Sequence, residues 1–79
     1  MEEQKKKIMD MIAELQPYVE FTETTSLLQE DVLDSVSVLV LVQDMEEQFG
    51  IHIEVEEITE DNFKNVESIV ALIAEKRQE

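Results

Sequence analysis

The fold of this chain depends on residues 34–50, which read DSVSVLVLVQDMEEQFG. Valines alternate at positions 36, 38, 40 and 42 as they would in a β-strand, and β-branched residues favour strands. At helical spacing, however, the apolar positions 38, 41, 42, 45 and 49 form one stripe that persists for three turns. Asp34 is a favourable N-cap, and Gly50 is a favourable residue just after a last turn. The length and the two caps therefore predict an α-helix over residues 35–49.

Two further helices are predicted on either side of this one. Residues 3–16 carry an apolar stripe at positions 8, 11, 12 and 15, and Pro17 ends the helix because it disfavours helical geometry at the residue before it. Residues 66–77 carry a similar stripe at positions 66, 69, 70 and 73, with Asn65 as the cap.

The connections between the helices are less regular. Residues 17–34 form a long loop, and loops of this length are uncommon in compact domains and often functional. Residues 51–58 alternate between apolar and polar side chains, which fits a short strand or an extended connection into a short helix near 58–63. One Gly and one Pro in the chain favour helices over a fold of many strands.

Size and charge restrict the function. The 79 residues are expected to form a single domain, 1–79, stabilised by packed aliphatic side chains because the chain has no cysteine. The net charge is −14, and residues 17–63 contain thirteen acids and no Lys or Arg. The resulting negative electrostatic field repels nucleic acid and anionic membranes, and it speeds encounter with basic protein surfaces.

We expect neither a membrane span nor a secretory signal. No run approaches the ~20 apolar residues of a spanning helix. The first residues, MEEQKKK, lack the uninterrupted apolar region of a signal peptide. The expected location is therefore the cytoplasm.

The residue types that carry out catalysis are scarce. The chain has no cysteine nucleophile, and its one histidine, His52, is more typical of a surface or packing residue than of a catalytic base. A single Gly excludes a Gly-rich phosphate loop, and the acids at 44, 46 and 47 lie on a predicted helix instead of a calcium loop. We therefore expect no catalysis by this chain alone and no metal site.

The remaining candidate is the pair Asp34-Ser35, where the long loop meets the helix. A serine at the first helical position is exposed, and the nearby amides and helix dipole favour an attached anion such as a phosphodiester. Asp34 could hold a metal ion or a basic residue of a modifying enzyme. Asp-Ser is also a common helix start that needs no function, and the local residues alone favour that interpretation.

A longer pattern surrounds Ser35. Residues 33–36 read LDSV, and residues 39–53 combine a helix with acids near its end, a Phe-Gly pair and an Ile-x-Ile segment. The pattern continues through DNF at 61–63 and NVESI at 65–69. Over roughly residues 27–75 this ordered set resembles the acyl carrier protein family. It is similar to short stand-alone carriers of the D-alanyl, peptidyl or polyketide type.

The resemblance implies an all-α fold, a small four-helix bundle of three longer helices and a short third helix, with the long loop between helices 1 and 2. It also implies that Ser35 bears a 4′-phosphopantetheine arm, transferred from coenzyme A by a phosphopantetheinyl transferase, with Asp34 as a supporting residue. The thiol of the arm holds an acyl or aminoacyl group as a thioester. The tether raises the effective concentration of this cargo at each partner's active site.

The resemblance implies further that partner enzymes dock on the second helix. The expected docking residues are the apolar Val36 and Leu39 and the acidic Asp44, Glu46 and Glu47. The expected partners are the transferase, an acyl- or amino-acid-activating ligase, and downstream synthases or transferases with basic docking surfaces. The carrier itself is expected to be a monomer.

The second helix departs from the family pattern in its first turn and a half, which is apolar and uncharged. Val36 stands where Leu is usual, and Val40 stands where many fatty-acid carriers have an acid. At 100° per residue the apolar positions 36–42 cannot all face one core, which predicts an apolar, partner-facing patch beside Ser35. Alternatively, Val40 packs under the third helix or the 17–34 loop.

Two questions stay open at the level of the sequence. The cargo can be an amino acid, a polyketide or specialised acyl chain, or an ordinary fatty acyl chain, and the apolar start of the helix weakens the case for the last. The chain can also be a carrier-like interaction module that is never phosphopantetheinylated. In that case Ser35→Ala would leave partner binding unaffected.

Overall fold

The computed structural model describes residues 2–77 and contains no strand in that range. Helix α1 spans Glu2–Leu15, α2 spans Ser35–Phe49 and α3 spans Val66–Arg77, and a 3-10 helix occupies Val55–Glu57. The three longer helices are thus confirmed to within one residue at each end. α1 packs against both α2 and α3, so the chain forms a small helical bundle. Within the described range, no helix is both long and apolar enough to cross a membrane.

The caps explain why residues 35–49 form a helix. Asp34 has extended backbone, and its side chain accepts a hydrogen bond from the Ser37 N–H at 2.8 Å. At the other end, the Gly50 N–H donates to the Glu46 carbonyl at 3.0 Å with a φ of +63°, which glycine adopts without strain. The alternating valines are therefore divided between two faces of a helix, and the strand interpretation of this stretch is wrong.

The core consists of aliphatic side chains and one aromatic ring. All three helices and the two connections contribute to it, and Phe63 is completely buried. No polar or charged side chain is buried among the residues that the structure describes. The helical part of the core is formed by Ile8, Met11, Ile12, Val38, Leu41, Val42, Met45, Val66, Ile69, Val70, Leu72 and Ile73. Residues 1, 78 and 79 of the predicted domain 1–79 lie outside the described range.

The long loop is fastened to the bundle rather than free. Leu27, Val32 and Leu33 are buried, and the Leu27 N–H donates to the Lys64 carbonyl at 2.8 Å. The Leu33 N–H in turn donates to the Leu27 carbonyl at 3.0 Å, which closes a compact turn directly before α2. The loop therefore holds the start of α2 in a defined place.

The connection from α2 to α3 holds two short turns. The 3-10 helix Val55–Glu57 comes first, and a turn follows in which the Phe63 N–H donates to the Thr59 carbonyl at 3.1 Å. This is the region where the resemblance implies a short third helix. Of the two possibilities for residues 51–58, the strand is wrong. A connection without regular structure is found at residues 51–54, but the short helix that follows is a 3-10 helix at Val55–Glu57, and the helix expected near 58–63 is only a turn.

Candidate functional site

Ser35 is the first residue of α2 and is exposed. The first N–H groups of a helix have no partner within the helix, and together with the dipole of a 15-residue helix they favour negative charge at this end. The hydroxyl therefore lies where a covalently attached anion is electrostatically favoured.

Asp34, the residue before it, is the N-cap of α2. The hydrogen bond from the Ser37 backbone N–H is the main cause that lowers the pKa of the Asp34 carboxyl below its ordinary value, and the Ser37 side chain adds to it. The carboxylate is therefore ionised at neutral pH. Its structural role is to hold the first turn of α2, and thereby Ser35, in position.

An apolar cleft of about 330 Å³ opens beside Ser35. Its walls come from α2, from the long loop and from the connection between α2 and α3. It is lined by Leu28, Ser35, Val38, Leu39, Ile58, Thr59, Glu60 and Phe63. Sequence reasoning did not bring these residues together into one cleft, because they are far apart along the chain.

The apolar patch predicted beside Ser35 is present on the surface. Val36 is 68% exposed, Leu39 is 54% exposed and Val40 is 40% exposed. Val40 therefore belongs to the outward face of α2 and is not packed under the loop or the connection to α3. At 100° per residue, Val36, Val40 and Glu47 fall on one outward stripe with Leu39 beside it.

The three acids predicted for docking lie on different sides of α2. Glu47 is exposed on the outward face. Asp44 is half-buried and lines a cleft towards α1, together with Lys7 and Asp10. Glu46 is also half-buried and turns to the opposite side, where its carboxylate accepts a hydrogen bond from the Ile53 N–H at 2.9 Å. The structure thus places Val36, Leu39 and Glu47 on one face of α2, with Glu47 about three turns farther along than Val36, and places the other two acids on the flanks.

His52 also lies on that flank, far along α2 from Ser35. Its Nδ1 is 3.2 Å from Glu46 Oε2, and its Nε2 is 3.2 Å from Glu54 Oε1. The ring is largely exposed, and no sequence signal linked it to either glutamate. It is not among the residues that line the cleft beside Ser35, so the geometry gives it no part in chemistry there.

Comparison with known families supplies the class of this site. The family model described as phosphopantetheine attachment site matches residues 6–73, which is most of the chain. Among curated proteins, no significant match is found. Domains of the matched family carry 4′-phosphopantetheine covalently and are generally non-catalytic carriers.

The residues around Ser35 fit this group. The hydroxyl is accessible for esterification, the start of α2 favours the negative charge of a phosphodiester, and the apolar cleft can accept part of an arm or its cargo. The helical bundle, the exposed serine at the capped start of α2 and the family match all point to the same class of protein. The chain therefore belongs to the phosphopantetheine-attachment family of acyl and peptidyl carrier domains.

Proposed function

We propose that Ser35 bears the 4′-phosphopantetheine arm and that the chain, as one carrier domain, shuttles an acyl or aminoacyl group between partner enzymes. The observation that carries this proposal is the position of Ser35. It is an exposed hydroxyl at the capped start of a helix, beside an apolar cleft, in a chain whose family is defined by this attachment.

The attachment forms a phosphodiester between Ser35 and the pantetheine phosphate. Ser35 Oγ loses its proton and forms a bond to the phosphate next to pantetheine in coenzyme A, while the pyrophosphate bond breaks and adenosine bisphosphate leaves. The transferase supplies the base. The chain contributes a first turn capped by Asp34 and a helix terminus that stabilises the negative charge of the phosphodiester. When bound, the arm supplies a thiol that holds the cargo as a thioester.

Partner enzymes are proposed to dock on the outward face of α2. Val36, Leu39 and Val40 offer apolar contact area next to Ser35, and Glu47 offers a negative charge farther along the helix. Asp44 and Glu46 contribute to the field from the flanks. No Lys or Arg interrupts this face, because residues 17–63 contain none. The proposed partners are the transferase, a loading ligase and downstream synthases or transferases with basic rims around an apolar patch.

The cleft favours a short cargo. Its volume of about 330 Å³ is near the lower end of the range for small-molecule pockets, roughly 300–1,000 Å³. A short acyl chain or an aminoacyl group fits this space better than a long fatty acyl chain. We also propose that residues 55–63 are the counterpart of the family's short third helix, since they occupy the corresponding place in the chain.

Transfer of the arm in vitro tests the proposal. The purified chain is incubated with coenzyme A and a broad-specificity phosphopantetheinyl transferase, and its intact mass is measured. We expect the mass of one arm on the wild type and on Ser37→Ala, which removes the nearest other hydroxyl of α2, and no addition on Ser35→Ala. An unmodified wild type would contradict the proposal and favour the unmodified interaction module. An arm that persists on Ser35→Ala would contradict the assignment of the site.

A further inference from the structure

Residues 51–60, which we call the strap, connect α2 to the turn before α3 and reach the cleft beside Ser35. Ile58, Thr59 and Glu60 at its end line that cleft. Its first part, residues 51–54, has no regular secondary structure. The position of this part therefore depends on individual contacts and not on a helix or a sheet ladder.

Glu46 makes two polar contacts between α2 and the strap. Its Oε2 accepts the Ile53 N–H at 2.9 Å and lies 3.2 Å from His52 Nδ1. The side chain is only 30% exposed, because it turns towards the strap and away from the outward face of α2. The neighbouring Glu47, by contrast, is exposed.

The bond to Ile53 is important because of where that residue lies. Ile53 is 5% exposed and belongs to the core. A backbone N–H buried without an acceptor is strongly unfavourable, and residues 51–54 have no ladder to supply one. The Glu46 carboxylate therefore supplies the acceptor that allows Ile53 to enter the core.

The other half of the strap is fastened to α3. The Glu54 N–H donates to Glu57 Oε1 at 2.9 Å, the Glu57 N–H donates to the Glu54 carbonyl at 2.9 Å, and Glu57 forms an ion pair with Lys76. The Asn62 side chain donates to the Glu57 carbonyl at 2.8 Å. Loss of the Glu46 contact should therefore release the first part of the strap and leave its attachment to α3 in place.

We propose that Glu46 is a positioning residue: by accepting the Ile53 N–H and contacting His52, it holds the first part of the strap, residues 51–54, against α2. The wall of the cleft beside Ser35, at residues 58–60, is held separately through α3. The main role of Glu46 is thus internal to the carrier, whereas Glu47 remains the acid that faces partners. The contact between Glu46 and Ile53 is argued from the geometry and does not depend on the proposed function. The expectation for an arm on Ser35 rests on the proposed function.

Amide hydrogen exchange on the full chain, followed residue by residue by NMR, tests the contact. In Glu46→Ala we expect the Ile53 amide to exchange about tenfold faster or more, as expected when a hydrogen bond to a charged acceptor is lost. Glu46→Gln should restore most of the protection, since its amide oxygen can still accept the bond. Glu47→Ala, the matched loss of a neighbouring charge, should change exchange at Ile53 by no more than about twofold.

The buried Ile69 of α3 provides the internal reference. Equal acceleration at Ile53 and Ile69 in Glu46→Ala would indicate a global loss of stability and overturn the proposal. An unchanged Ile53 would overturn it as well. Glu46→Asp keeps the charge on a side chain shorter by one methylene, so it should also accelerate exchange at Ile53, and it decides the question if the alanine variant does not fold.

A fluorescent arm tests whether the wall of the cleft depends on Glu46. A coenzyme A analogue with a solvatochromic group is transferred to Ser35, and we expect the same emission in wild type, Glu46→Ala and Glu47→Ala, because residues 58–60 stay fastened through Glu57, Lys76 and Asn62. Redder emission in Glu46→Ala alone would show that the wall of the cleft depends on Glu46 and would overturn this division of the strap. If no arm attaches to the wild type, the proposed function fails, and the exchange result at Ile53 still decides the role of Glu46.

Discussion

Asp34 holds the first turn of α2 through one oxygen that lies 2.8 Å from the Ser37 nitrogen. Asp34→Ala removes this cap, and we expect Tm to fall by about 4–8 °C at neutral pH. Asp34→Asn should cost less, because Asn is also a good N-cap. Thermal unfolding followed by circular dichroism measures both changes.

The contribution of Asp34 should depend on pH in a defined direction. Its pKa is lowered in the folded chain by the Ser37 N–H, so the unfolded chain binds this proton more readily. The contribution is therefore complete above the ordinary pKa of 3.8 and is lost as the pH falls through the lower folded value. The Tm difference between wild type and Asp34→Ala should narrow in acid. A difference that stays constant well below pH 3.8 would contradict this account of the cap.

Asp31, in the turn before α2, adopts a left-handed conformation with a φ of +59°. Residues with a Cβ are less stable there than glycine, although Asp tolerates this region better than most. We expect Asp31→Gly to raise the free energy of unfolding by about 0.5–1 kcal/mol, measured by denaturant titration. Glu30→Gly, which removes the same charge at a neighbouring position without positive φ, should lower it. Equal effects of the two substitutions would contradict the strain at Asp31.

At the scale of the element, α2 divides its apolar residues between the core and the surface. Leu41 is completely buried, whereas Val40 is 40% exposed. Leu41→Ala should lower the free energy of unfolding by about 2–5 kcal/mol, because it leaves a cavity. Val40→Ala should cost much less, and denaturant titration of both variants measures the contrast. Similar losses of unfolding free energy at the two positions would contradict a helix that buries Leu41 and exposes Val40.

Much of α2 could be predicted from local chemistry. Asp34 and Gly50 determine both ends, and periodicity identifies the buried positions. The sides on which Asp44 and Glu46 lie could not be predicted, because they depend on how α1 and the strap pack against the helix. The cleft escaped prediction for a similar reason, since Leu28, Ile58 and Phe63 meet there only after the long loop and the strap have folded. The place of Ser35 at the start of α2 could be predicted from its local cap, whereas its proposed role depended on the longer pattern over residues 27–75.

At the scale of the whole molecule, the net negative charge is the main influence on stability that we expect. The net charge of −14 is concentrated in residues 17–63, so mutual repulsion should destabilise the fold at low salt. Screening shortens the range of this repulsion from about 30 Å at 0.01 M salt to about 3 Å at 1 M. We therefore expect Tm to rise with NaCl and with millimolar divalent cations. A flat or falling Tm across that series would contradict the repulsion argument.

The proposed function requires that the arm is on Ser35 in the living cell. The most direct measurement is fragmentation mass spectrometry of the intact protein isolated from its native cells. We predict a mass increase equal to 4′-phosphopantetheine, with or without a thioester-bound cargo, which appears only in fragments that contain Ser35. An unmodified protein, or the same mass increase on fragments that lack Ser35, would contradict the account.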